Sequence, residues 1–391
     1  MTECELHDLF DGLTSDAGLE EIAAIRRRAA AAGLLAVFRQ RFLQLRESGG
    51  SAWRMSDFRR GWSFGDLIRA RFARRSGVLA AQMRRLYVHC IGPAKVPDDI
   101  AASFSSYVGA GCEHPVTVII PVYNGYDALV RLTGTLFENT DAKHSILFID
   151  VASTDGRIRP LLEEMESRHP NVKVMSNRVN CGFAGSVNRA VAACEGDFVL
   201  LNTDTQVPQK WIPRLFAPVW KYENTASVTP LTCESAFLSV PDAETGTVGF
   251  VEEHGVEAVD LAVSRIRPDE RWNILEAGVG FCLAISRTAW NKVGEFDSSV
   301  FGRGYGEETD WCLRAYYKYG MVNRFAENLF VAHWHTASFK SEEKAALMAR
   351  NEKRVKARNP RWRNEPAVFE KASLRRMWRT VRKACESAGL I

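Results

Sequence analysis

Val116-Thr117-Val118-Ile119-Ile120-Pro121-Val122-Tyr123-Asn124-Gly125 is the stretch that decides the fold. Its first five residues are a β-branched, apolar run that reads as a strand, closed by Pro121 and a turn at Asn124-Gly125. A helical segment follows, with Leu129, Leu132 and Leu136 on one face. Further strands are predicted at Ser145–Asp150, Val172–Met175 and Phe198–Leu201. Helical patterns from Arg157 to Ser167 and from Gly185 to Cys194 separate them. Strands alternating with helices imply a parallel sheet with right-handed crossovers. Such sheets bind ligands beyond the C-terminal ends of their strands. Asn124, Asp150, Ser153, Asp155, Asn180 and Asp204 all fall at those ends.

Outward from this centre the pattern changes on both sides. Leu19 to about Tyr87 reads as helices, for example through Leu34, Leu35, Phe38, Phe42 and Leu45 at helical spacing. A linker-like stretch runs from Pro97 to Glu113. After Pro241 the order is less regular: an apolar segment at Gly280–Ile285, a helix near Thr288–Val293 and a second at Glu307–Tyr319. Charged helix returns beyond Phe339. The expected organisation is a helical region over 1–112, an α/β domain over 113–340 and a helical extension over 341–391.

The chain of 391 residues is 46% hydrophobic and 25% charged, a globular composition. It holds no run of about 18 apolar residues, which argues against a spanning helix. The start, MTECELHDLFDG, lacks the basic-then-apolar order of a secretory signal. Nine cysteines are scattered without a C-x-x-C pair, which suits reduced thiols in a cytoplasmic protein. A net charge of +4 hides an uneven distribution. Arginines crowd the segment from Arg26 to Arg85, and Arg375, Arg376, Arg379, Arg382 and Lys383 the far end. These ends suit the inner face of the cytoplasmic membrane or an acidic acceptor; a solvated helical face is the plainer alternative.

Three clusters carry chemistry. Asn202-Thr203-Asp204 directly follows a strand, which delivers a carboxylate to the ligand edge, where it suits a divalent ion bridging a diphosphate. Gly304-Tyr305-Gly306-Glu307-Glu308-Thr309-Asp310-Trp311 puts carboxylates at a helix start, fit for acid–base work. Val331-Ala332-His333-Trp334-His335 offers imidazoles to complete a metal site with Asp204. Singly, each has a structural alternative: a turn, a stabilised helix N-terminus, an incidental surface pair.

In order and spacing the set resembles family 2 of the glycosyltransferases, over about Pro115 to Phe339. Val118 to Gly125 resembles that family's opening strand and nucleotide loop. Phe148-Ile149-Asp150-Val151-Ala152-Ser153-Thr154-Asp155-Gly156 resembles its second strand end, and Asn177 to Asn188 its third block. Asn202-Thr203-Asp204 sits where the family has its Asp-x-Asp, and Gly306 to Arg314 fits its base-bearing acidic motif. The resemblance implies a GT-A type, Rossmann-like α/β fold: a mixed, mainly parallel sheet flanked by helices. It implies Mn2+ or Mg2+, a nucleotide-sugar donor (UDP-, GDP- or dTDP-sugar) and a glycan or lipid-linked acceptor, as in bacterial surface polysaccharide assembly. Pro121, Tyr123, Asn124, Asp150, Arg178, Asn180, Asn202, Thr203 and Gly280 are then expected around the donor. Asp204 is expected on the metal with His333 or His335, Glu308 as general base with Glu307 beside it, and Trp311 bordering the acceptor.

Three positions depart from the family pattern. Val151 stands where many relatives carry Asp or Asn, Asn202 replaces the first metal-motif Asp, and Glu308 adds one methylene to the usual Asp. A nucleotidyltransferase is the enzymatic rival, but Val122-Tyr123-Asn124-Gly125-Tyr126-Asp127 offers neither several glycines nor a basic residue. A basic nucleic-acid or membrane-binding protein would leave the middle of the chain unexplained, so no nucleic acid is expected as partner.

Overall fold

A computed structural model of the chain describes residues 114–391 apart from 234, 236, 244, 270–272, 303, 335–340 and 363–367, with scattered positions before 33. Apart from those scattered positions, the predicted Arg-rich N-terminal helices lie outside the described residues, as does His335. Strand β1 (Thr117–Val122) leads through a turn into helix α1 (Tyr126–Asn139). Asn124 and Gly125 are both left-handed there, at φ 56° and 70°, which makes the turn tight. Then follow β2 (Ser145–Asp150), α2 (Ile158–Arg168), β3 (Val172–Ser176), α3 (Gly182–Ala192), β4 (Phe198–Leu201), β5 (Thr205–Gln206) and α4 (Trp211–Lys221). The chain continues as β6 (Thr225–Leu231), α5 (Val248–His254), α6 (Val256–Ser264), β7 (Ile274–Leu275), β8 (Cys282–Ile285), α7 (Arg287–Val293) and α8 (Ser298–Phe301). It closes with α9 (Glu307–Tyr319), β9 (Val322–Phe330), β10 (Ala332–His333), α10 (Ser341–Arg358) and α11 (Val368–Ser387).

The main sheet has eight strands in the order β3-β2-β1-β4-β8-β6-β9-β7, and β5 and β10 form a separate antiparallel pair. Strands β3, β2, β1 and β4 run parallel, as does β9 beside β6; β8 and β7 run against their neighbours. The sheet is therefore mixed and mainly parallel, as expected. Side chains alternate along β1 with period two. Val118, Ile120 and Val122 pack with Leu129, Leu132 and Leu136 of α1 and with Trp211 and Leu215 of α4. Ile119 points the other way, to Ala184 and Val187 of α3 and to Trp290 and Trp311. Covering both faces is what allows the near-continuous apolar run that marks this strand in the sequence.

Residues Val96–Val251 and Val259–Ala384 form one compact unit; the other takes Met1–Lys95, Glu252–Ala258 and Cys385–Ile391. Helix α10 and most of α11 thus belong to the sheet's own unit and are not a separate extension. Part of the C-terminal charge is spent inside this unit. Arg376 pairs with Asp269 at 3.1 Å and Arg382 with Asp242 at 2.9 Å, while Arg375, Arg379 and Lys383 are exposed.

One buried ion pair anchors α4. Arg214 holds both oxygens of Asp260 at 2.8 and 2.9 Å, with side chains 0% and 3% exposed. Removing one partner leaves the other charge buried and uncompensated, which costs about 3–5 kcal/mol. Asp260→Asn is expected to lose about that much stability in urea unfolding; an unchanged midpoint would contradict the assignment.

Candidate active site

Because β3, β2, β1 and β4 are parallel and adjacent, their C-terminal ends share one edge. Strand spacing of about 4.8 Å puts the end of β2 about 10 Å from the end of β4. Asp150 ends β2, and its carboxylate accepts the Ser153 N–H at 2.8 Å. Pro121 and Tyr123 lie half-buried at the end of β1. The Asn124 side-chain oxygen accepts from the N–H groups of Thr154 and Asp155 at 2.8 and 2.9 Å, tying the β1 loop to the β2 loop. After β3, Arg178 and Asn180 are exposed, and Asn180 accepts the Gly182 N–H that opens α3 at 2.8 Å.

Asn202, Thr203 and Asp204 follow β4, all half-buried. The Asn202 N–H donates to the Phe281 carbonyl at 2.8 Å. Just beyond, β5 pairs with β10, placing Thr205 opposite His333. That register brings His333 Nε2 to 3.3 Å from Asp204 Oδ1, each side chain 14% exposed. The Trp334 N–H donates to the Asp204 carbonyl at 2.8 Å, and the His333 ring stacks on Phe281 with centroids 5.0 Å apart.

Next to Phe281 is Gly280, and against Gly280 lies Glu308. A methyl group at 280 would sit 2.9 Å from Glu308 Cγ and 3.2 Å from Cδ, so the carboxylate arm occupies the space a side chain would fill. The loop before α9 is unusual: Gly302, Gly304, Tyr305 and Gly306 all have positive φ, at 55°, 120°, 66° and 99°. It delivers Glu307 and Glu308 into the first turn of α9. Glu307 is 3% exposed, and its Oε2 is buried without a hydrogen-bond partner among the described residues. Burial, and then the charge of Glu308, push the Glu307 carboxyl well above the usual range. Burial also raises Glu308, against the pull of the backbone N–H groups at the helix start. The Tyr305 hydroxyl is raised by burial and then by the charges of Asp204, Glu307 and Glu308. Its phenol is thus in electrostatic reach of all three carboxylates.

The structure therefore gathers Asp204, His333, Gly280, Glu307 and Glu308 beside the end of β4. Trp311 is a correction. It is 0% exposed, donates its indole N–H to the Gly294 carbonyl at 2.7 Å and stacks in the core with Trp290. A side chain closed off in that way borders no acceptor. Asp310 is likewise structural, held at 0% exposure by Arg314, Arg358 and Asn359. Tyr305 was missed by sequence reasoning, although a bulky residue between two glycines was the available signal.

Residues 117–236 match the family Glycosyl transferase family 2. That match covers the segment from β1 through β6 and the residues just beyond it. An undecaprenyl-phosphate 4-deoxy-4-formamido-L-arabinose transferase of Klebsiella pneumoniae (strain 342) is 34% identical over 104 residues, 26% of this chain and 32% of its own. The chain thus spans about a third of that relative's length. An N-acetylglucosaminyl-diphospho-decaprenol L-rhamnosyltransferase of Mycobacterium tuberculosis (strain CDC 1551 / Oshkosh) is 25% identical over 269 residues, 61% of this chain and 83% of its own. A mannosyltransferase from Pyrobaculum calidifontis, solved in complex with GDP-Man and Mn2+, is 15% identical over 80% of this chain and 87% of its own, at a TM-score of 0.47.

Two features bear on what this site could bind. Among the described residues no three His, Cys, Asp or Glu side chains converge as metal ligands. The available donor set is a carboxylate oxygen facing an imidazole nitrogen, Asp204 and His333, a pair that suits a divalent ion completed by ligand oxygens. No helix of the described residues is long and apolar enough to cross a membrane.

Proposed function

We propose that the protein is a metal-dependent, inverting glycosyltransferase that moves a sugar from a nucleoside-diphosphate sugar to a hydroxyl of a lipid-linked or glycan acceptor. The observation that carries this reading is the adjacency of Asp204–His333 to Glu308, linked through Gly280-Phe281 at the end of β4. Asp204 and His333 would hold Mn2+ or Mg2+, whose chemistry is to neutralise charge on the leaving diphosphate. Glu308 accepts the proton of the attacking acceptor hydroxyl, its raised affinity for protons matching that task. Attack from the face opposite the leaving group inverts the anomeric centre. The buried, unpartnered Oε2 of Glu307 takes a hydroxyl of donor or acceptor. The ends of β1 and β2, with Tyr123, Asn124 and Asp150, hold the nucleoside. A polyprenyl-linked acceptor is favoured by the relatives that act on undecaprenyl phosphate and on a diphospho-decaprenol. Docking at the inner face of the cytoplasmic membrane is part of this reading, supported by the exposed Arg375, Arg379 and Lys383.

The test is a panel of UDP-, GDP- and dTDP-sugars, with and without Mn2+ and a polyprenyl-phosphate acceptor. Release of nucleoside diphosphate that depends on the metal is expected. Release of pyrophosphate from a nucleoside triphosphate and a sugar phosphate would instead favour the nucleotidyltransferase. Gly280→Ala supplies a finer check. Its methyl must displace the Glu308 arm, and misplacing a catalytic group by about 1 Å costs on the order of 100-fold. Turnover should drop by that order with the unfolding temperature little changed; wild-type turnover would place the base elsewhere.

A further inference from the structure

Helix α10 lies beyond the segment that matches the family, and its sequence reads only as charged helix. At its centre Asn351 is 1% exposed. Its amide nitrogen donates to the carbonyls of Gly304 and Tyr305 at 2.8 and 2.9 Å and reaches that of Phe301 at 3.4 Å. Its amide oxygen accepts from Arg354 at 3.1 Å, which fixes which end of the amide faces the loop. The same guanidinium donates to the Val300 carbonyl at 2.5 Å. One turn further, Val355 packs with Phe301 against Gly306, where a Cβ would come within 3.1 Å of Val355 Cγ2.

These contacts meet a specific need. Residues in the left-handed region turn their carbonyls away from any regular ladder, and buried carbonyls require donors from elsewhere. The Gly306 carbonyl takes the Asp310 N–H of α9 at 2.8 Å, but among the described residues no backbone N–H reaches those of Gly304 and Tyr305, so a side chain with two amide hydrogens is the economical solution. Because Glu307 and Glu308 follow this loop directly, its position sets theirs.

We propose that Asn351 is a positioning residue that holds the glycine-rich loop from α10 and thereby places Glu307 and Glu308 at the site. The catalytic consequence rests on the glycosyltransferase reading; the clamp itself rests on the loop geometry alone. The test is Asn351→Leu in the full chain, read in two ways. Amide exchange over 301–310 should rise at least about 10-fold, with β1 to β4 unchanged, as local opening without global loss requires. In the same variant, kcat for nucleoside diphosphate release from UDP-glucose, GDP-mannose or dTDP-rhamnose with Mn2+ should fall on the order of 100-fold. Donor KM should stay within about two-fold, the split expected when only the reacting group has moved. If Asn351→Leu does not fold, Arg354→Met, at an exposed position, should give smaller changes of the same sign. Unchanged exchange over 301–310 overturns the clamp, and faster exchange with wild-type kcat overturns positioning. A wild-type chain that releases no nucleoside diphosphate would instead defeat the enzymatic reading, while the exchange comparison still decides the clamp.

Discussion

Glu308→Gln should retain donor binding and lose about two to four decades of kcat, the span associated with removing a general base. The amide keeps the shape that packs against Gly280 but accepts no proton. The pH dependence gives a second reading. Glu308 must be deprotonated to act, and burial raises its affinity for protons. Wild-type kcat should therefore fall as pH drops through a value above the ordinary carboxylate range. Around this group stand Glu307, Tyr305, Asp204 and His333, so the observed limb belongs to the cluster. Glu308→Gln should flatten the limb along with the rate. A variant that keeps both the rate and the limb would remove Glu308 from the chemistry and leave Glu307 as the candidate.

Asp204→Ala is the second large effect. Lewis-acid stabilisation of a leaving group is worth several kcal/mol, and each 1.36 kcal/mol is tenfold in rate, so a loss of roughly three decades is expected. The loss should not be rescued by raising Mn2+, whereas His333→Ala, which leaves the carboxylate in place, should be partly rescued. Removal of Mn2+ by chelation should cost the wild type a comparable factor and the Asp204→Ala protein little more. If chelation leaves wild-type turnover untouched, the Asp204–His333 contact of 3.3 Å is a structural hydrogen bond and the mechanism is metal-free.

The second half of the sheet was the harder part to read. Strand β6 is buried at all seven positions although it carries Thr225, Ser227 and Thr229. Strand β9 hides Asn323, Arg324, Glu327 and Asn328. Strand β9 shows no simple apolar run or alternation. Strand β6 alternates over Thr225–Thr229 as a strand with one solvent face would, although both its faces are buried. Each is stabilised by partners far along the chain. Ser227 donates to Asn323 at 2.8 Å across 96 residues, and Asn323 donates to the Glu276 carbonyl at 2.8 Å. Trp311 misled for a related reason. It follows the acidic motif closely in sequence, but an aromatic of that size gains most by filling the core, and only the packing of Trp290 and Phe296 decides which way it turns.

What the sequence determined alone was local and periodic. The alternation of β1 to β4 with α1 to α3 follows from side-chain periods of two and 3.6. The placement of Asp150 and Asp204 at one edge follows from strands that run in parallel. Tertiary structure decided which distant groups meet there. The β5–β10 register sets His333 against Asp204, the absence of a side chain at Gly280 admits Glu308, and α10 brings Asn351 to the carbonyls of Gly304 and Tyr305. The physical reason is range: periodicity is written within a few residues, whereas a buried polar group is satisfied by whatever the fold brings within about 3 Å, however far away it lies in the chain.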